Sequence, residues 1–175
     1  MALFSRKLDE WAQIAEIVAA FSVVVSLVFV GLQVRQNTTA VRSSAAQAIH
    51  ENYAAWYLAT EGDPALLAIS IRGMRDYASL SDIERAQFIA QFMAFCSYTQ
   101  NAYYKWKEGS LAPELWRGWE YTSMNFFSTD GGKAFWSERA YLFSDDFRAY
   151  IEGDIMLRPP HPDAKPWGAY RIGEQ

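Results

Sequence analysis

The residue types that carry most protein chemistry are sparse in this chain of 175 residues: two histidines, His50 and His161, and one cysteine, Cys96. A helical zinc site needs a second histidine four residues after the first, and His50-Glu51 is followed by none. His161 lies in Pro159-Pro160-His161-Pro162, a solvated stretch. A haem held by His50 and Met93 or Met124 would lack the C-x-x-C-H attachment motif. Cys96 falls between Phe95 and Ser97, whereas a nucleophilic thiol wants a basic, partly open setting. Asp145, Asp146, Glu152 and Asp154 lack EF-hand spacing and suit a helix start and a solvated face. No phosphate-binding glycine loop, dinucleotide fingerprint or nucleophile elbow occurs. The expectation is no catalytic residue, no metal, no cofactor and no enzymatic activity.

The one carboxylate in an unusual place is Glu16. It is the only charge between Ile14 and Leu32, and Ile17 to Val30 has none. Helical rise makes Ile14 to Leu32 about 28 Å long, close to the ~30 Å hydrocarbon thickness of a bilayer. A charge there is costly and normally faces protein, water or a donor, or reaches the headgroups from near the boundary. Beside it runs a stripe of mostly small residues, Ala12, Ala15, Ala19, Ser22, Ser26, Phe29 and Gln33, spaced alternately by three and four. Such a seam lets two helix backbones approach closely in lipid, and its serines have hydroxyls to share across the contact. On an unbroken helix the same register continues through Gln36, Ala40, Ser43, Gln47 and His50.

These residues need elements to hold them. A signal peptide would end in small residues at a cleavage site, but Val30-Gly31-Leu32-Gln33 has no A-x-A pattern. A buried helix of a soluble domain would keep one polar face. The reading is therefore a transmembrane helix over 13–34, after a short tail over 1–12. Trp11 marks one interface, and Gln33 and Arg35 the other. No proline occurs before Pro64, so the helix can run on to Glu61-Gly62-Asp63-Pro64. A short helix to about Tyr77 follows. Ser81-Asp82-Ile83-Glu84 is a capping box opening a helix that Gly109 closes, with Phe88, Phe92, Phe95, Ala102 and Trp106 on its buried face. Pro113 starts the next, and Gly131-Gly132 is expected to break it. Lys133–Leu142 and Ser144–Met156 read as two more, the second capped by Ser144. Nothing alternates as a strand. The predicted fold is all-α: an N-terminal transmembrane helix continuing into a membrane-proximal bundle over 35–157, with an irregular proline-rich tail over 158–175.

A net charge of −4 gives nucleic acid nothing to bind. Aromatic residues make up 16% of the chain, which sets how the bundle is filled. Most belong in the core. A surplus such as Tyr103, Tyr104, Trp116 and Trp119 would form a partner surface or a pocket for an apolar ligand.

Three stretches, IAEIVAAFSVVVSLVFVGLQVRQNT, SDIERAQFIAQFMAFCSYTQNAYYKWKEGSL and WRGWEYTSMNFFSTDGGKAFWSERAYLFSDDFRAYI, resemble a widespread group of bacterial single-pass membrane proteins with no assigned activity. The resemblance covers most of residues 11 to 151. It implies a membrane helix, a helical domain on the cytoplasmic side of the inner membrane, and no residue role. Arg6 and Lys7 against Arg35 and Arg42 leave the charge rule almost balanced, leaning to a cytoplasmic N-terminus. The expected function is a membrane-anchored scaffold or accessory subunit, self-associating or bound to a larger membrane complex. The alternative is a tethered domain that carries or senses a lipid or quinone.

Overall fold

The computed structural model describes residues 2–165, with side chains from residue 11 onward except those of residues 12 and 61. Six α-helices and no strand occur among the described residues: α1 (Ala2–Glu61), α2 (Pro64–Arg75), α3 (Asp82–Lys107), α4 (Pro113–Phe127), α5 (Asp130–Arg139) and α6 (Asp145–Gly153). Short 3-10 turns follow α2, α5 and α6. The fold is all-α, as the sequence predicts. Residues 166–175, most of the expected irregular tail, lie outside the described residues, as does the side chain of Ala12.

The chain divides into two units, Met1–Ser43 and Ser44–Gln175. Residues 35–43, expected with the bundle, fall in the first. The described residues of that unit are all helical. α1 is long and apolar enough to cross a membrane, with a mean hydropathy of 2.5 over its most apolar 18 residues.

The second unit is a helical bundle whose element ends follow from local chemistry. The Asp63 carboxylate accepts from the amides of Ala65 and Leu66, and Pro64 opens α2 without wasting a donor. The capping box forms as read: the Ser81 hydroxyl accepts from the Glu84 amide, and the Glu84 carboxylate accepts from the Ser81 amide at 2.9 Å. α3 ends in a Schellman motif. The Ser110 and Gly109 amides return to Lys105 and Trp106 carbonyls at 2.9 Å, and Gly109 takes φ +73°, a conformation costly for any residue with a Cβ.

Two expectations need correction. Gly131 and Gly132 do not break a helix; they form the first turn of α5, where the Gly132 amide donates to the Thr129 hydroxyl at 3.0 Å. The break comes earlier, at Ser128 and Thr129. Ser144 occupies the N-cap of α6, but its side chain makes no capping bond. Its hydroxyl accepts from Tyr104 at 2.7 Å and donates to Gln100 at 3.1 Å, so a tertiary tie to α3 displaces the local one.

The core is aromatic. Phe88, Phe92, Phe95, Phe126, Phe135 and Phe147 are completely or almost completely buried. α2 packs on α3 and α5, α3 on α4, and α4 on α5 and the turn Ile155–Leu157. The last part of α1 contributes Ala45, Ile49, Trp56 and Thr60 to this core. Trp56 lies 5.3 Å from Phe95 and donates its indole N–H to the Gln91 carbonyl at 3.0 Å.

Candidate functional site

In the first unit the candidate site is the surface of α1 itself. Every described side chain from Gln13 to Ser43 is exposed, and none of the apolar 18-residue window is buried. Ile17, Phe21, Leu27 and Phe29 are each more than 60% exposed. A soluble helix buries one such stripe; this segment buries no side. Ala15, Ala19, Ser22 and Ser26 fall along one face of it by their helical spacing, with Glu16 adjacent. Ser22 Oγ donates to the Val18 carbonyl and Ser26 Oγ to the Ser22 carbonyl, each at 2.8 Å. The hydroxyl protons are thus used inside the helix, and the serines offer a facing helix only acceptor lone pairs. This face has the small side chains that permit close approach, and no serine proton left to donate outward.

In the second unit the residues expected to form a partner surface do not form one. Tyr103, Trp116 and Trp119 are buried and Tyr104 is half-buried. The reason is packing. Trp106 stacks on Trp116 at 5.3 Å with planes 13° apart, Tyr103 stacks on Tyr150 at 4.9 Å, and Trp119 meets Tyr53 edge-on at 5.4 Å. Rings at these separations occupy one another's faces. The set considered as a pocket for an apolar ligand is packed ring against ring.

Around those rings lies a polar group that the sequence did not announce. Glu120 on α4 accepts from the Tyr150 hydroxyl of α6 and from Arg158 at 3.0 Å; Arg158 also reaches Asp154 at 2.8 Å. Burial first, and then the Glu120 carboxylate, push the Tyr150 phenol well above its ordinary range. Tyr150 is therefore a fixed donor at neutral pH, and the group ties α4 to the end of α6 and to the segment after it. Its members are 30 and 38 residues apart, a separation no local spacing reveals. A second such group joins α2 to α3: Ser70 donates to Gln91, whose backbone carbonyl takes the Trp56 bond.

Cys96 is buried, and burial pushes its thiol well above the usual range, which keeps it protonated. His50 is exposed on α1. His161 meets the Tyr121 ring edge-on at 4.8 Å, and its Nδ1 accepts from the Asp163 amide. Of the four acidic residues, Asp145 pairs with Arg148, Asp146 with Lys107, Asp154 with Arg158, and Glu152 accepts from the Trp136 indole. Among the described residues no three His, Cys, Asp or Glu side chains converge as metal ligands.

No protein-family model, curated protein or solved structure matches the chain, so the resemblance of its segments carries no residue role to it.

Proposed function

We propose that the protein is a membrane-anchored, non-enzymatic scaffold or accessory subunit, inserted by the first half of α1 and associating through the Ala15, Glu16, Ala19, Ser22 and Ser26 face. One observation supports this reading: an apolar segment of α1, up to Ser43, in which no described side chain is covered. Ile17 to Val30 holds ten Val, Ile, Leu and Phe residues. At about 0.3–0.6 kcal/mol each, they favour insertion by roughly 3–6 kcal/mol in all. A carboxylate at the bilayer centre would cost about 3 kcal/mol, but Glu16 stands at one end of the run, where the cost is lower. Insertion wins. The bilayer is then the first partner, and a second copy of the chain or a larger membrane complex the next. A bacterial inner membrane with the bundle on the cytoplasmic side belongs to the same proposal and rests on the segment resemblance.

Alkaline carbonate extraction of membranes expressing the full chain tests the anchor: the protein stays in the pellet, and its appearance in the supernatant would overturn the reading. Native mass spectrometry from mild detergent tests the association. A multiple of 19.9 kDa, or co-purifying larger subunits, is expected. The double change Ala19→Leu and Ser22→Leu should disperse either assembly, because bulk on the seam separates the backbones. Assembly that survives those changes does not use the seam.

A further inference from the structure

The second half of the first unit carries a feature that the anchor alone does not use. From Ile17 to His50 the only formal charges are Arg35 and Arg42; no Asp or Glu occurs. Seven helical residues bring the two within about 20° of one another around the axis and about 10 Å along it. Both are exposed, and among the described residues neither has an acidic partner. Thr38 and Thr39 share that face, but their hydroxyls donate to the Val34 and Arg35 carbonyls at 2.9 and 3.1 Å. The side-chain donors left free there are the two guanidinium groups. Arg35 and Thr39 edge a shallow groove whose other side, Gln36, Ala40 and Ser43, continues the seam register. Arg35, one turn beyond the apolar run, stands at headgroup level, where guanidinium meets phosphate as a planar fork, and Arg42, about 10 Å further out, reaches that level by turning its long side chain back along the helix.

We propose that Arg35 and Arg42 form a recognition face for anionic phospholipid headgroups in the leaflet at the C-terminal edge of the apolar segment. The proposal rests on the membrane reading above. The complementarity is of charge and position: two positive groups with no counter-ion among the described residues, beside a surface that lipid tails or another apolar helix suit. The seam lies roughly a quarter turn or more around the helix from this face, so lipid and a helical partner can be held together.

The test uses the full chain in mixed micelles of phosphatidylglycerol and phosphatidylcholine with matched acyl chains. Native mass spectrometry counts the adducts of each lipid. Phosphatidylglycerol should be preferred by roughly five-fold per arginine at low salt, with the preference falling as salt rises. Arg35→Gln with Arg42→Gln should bring the ratio close to one. Arg117→Gln with Lys133→Gln, which removes the same charge from the bundle, should leave it unchanged. Equal occupancy in the wild-type chain, or a preference that outlasts loss of both arginines, overturns the proposal. Carbonate extraction from vesicles of phosphatidylcholine alone separates the two levels. Retention there without a phosphatidylglycerol preference sinks only the headgroup face, and release sinks the anchor and this inference together.

Discussion

Gly131 and Gly73 stand where the backbones of α5 and α2 touch, and no side chain fits between them. A Cβ on Gly131 would lie 2.7 Å from Phe88 Cζ and 2.9 Å from the Gly73 carbonyl carbon. The first could yield only by moving a ring buried in the core, the second only by moving backbone. Gly131→Ala should therefore cost about 1–3 kcal/mol, read as a lower urea midpoint; an unchanged midpoint would mean the helices separate freely. Tyr77, at the same junction, gives a pH signature. Burial, then the neighbouring Glu138 carboxylate to which its hydroxyl donates at 3.1 Å, push its phenol up from 10.0 to about 12. The folded state holds this proton across a range in which the unfolded chain releases it. The contribution is thus complete below pH 10 and lost as pH rises through about 12. Tyr77→Phe should flatten the fall in urea midpoint over that window, whatever its effect at neutral pH. A wild-type slope retained in the variant would assign the alkaline loss to other groups.

α3 shows how far local signals decide an element. Its start rests on the Ser81 and Glu84 exchange, so Ser81→Ala should remove about 1 kcal/mol. Hydrogen bonds from the Ser81 amide and hydroxyl, then from Arg72, hold the Glu84 carboxyl below its ordinary value. That stabilisation is present above the ordinary value and disappears as pH falls through the lowered one. The variant should therefore lose less than the wild type on acidification, as thermal melts at neutral and acid pH would show; parallel losses would place the acid sensitivity elsewhere. The same kind of signal made Asp63-Pro64, Gly109 and Pro113 legible in the sequence, because each acts on backbone atoms within four residues. Gly131-Gly132 misled because two glycines mark either a stop or a close approach, and only the position of α2 distinguishes them. Ser144 misled because Gln100 and Tyr104, forty and more residues earlier, outcompete the local amides. The Glu120, Tyr150 and Arg158 group was invisible for the same reason. Aromatic abundance foretold a core that takes most of the rings but not which ones, and Trp116 and Trp119, read as surplus, are buried in it.

Considered whole, the protein assigns its apolar surface to two uses. Residues 44–165 bury aromatic rings in a core of their own, to which Ala45, Ile49, Trp56 and Thr60 belong. A chain of residues 44–175 should accordingly be helical by far-ultraviolet dichroism and well packed by near-ultraviolet dichroism and, under the proposed anchoring, should no longer fractionate with membranes. Loss of the near-ultraviolet signal in that fragment would mean the bundle needs the first unit to fold. The division has an optical side as well. All ten tyrosines and six of the seven tryptophans follow residue 43, and the stacked Trp106 and Trp116 are among them. The first unit holds a single indole, Trp11, 69% exposed. With the other six changed to phenylalanine or excluded by spectral subtraction of the fragment, Trp11 emission becomes a one-site gauge of polarity and depth. The bundle supplies its own separate colour, so that under the proposed anchoring the chain would report on membrane and water without an added dye.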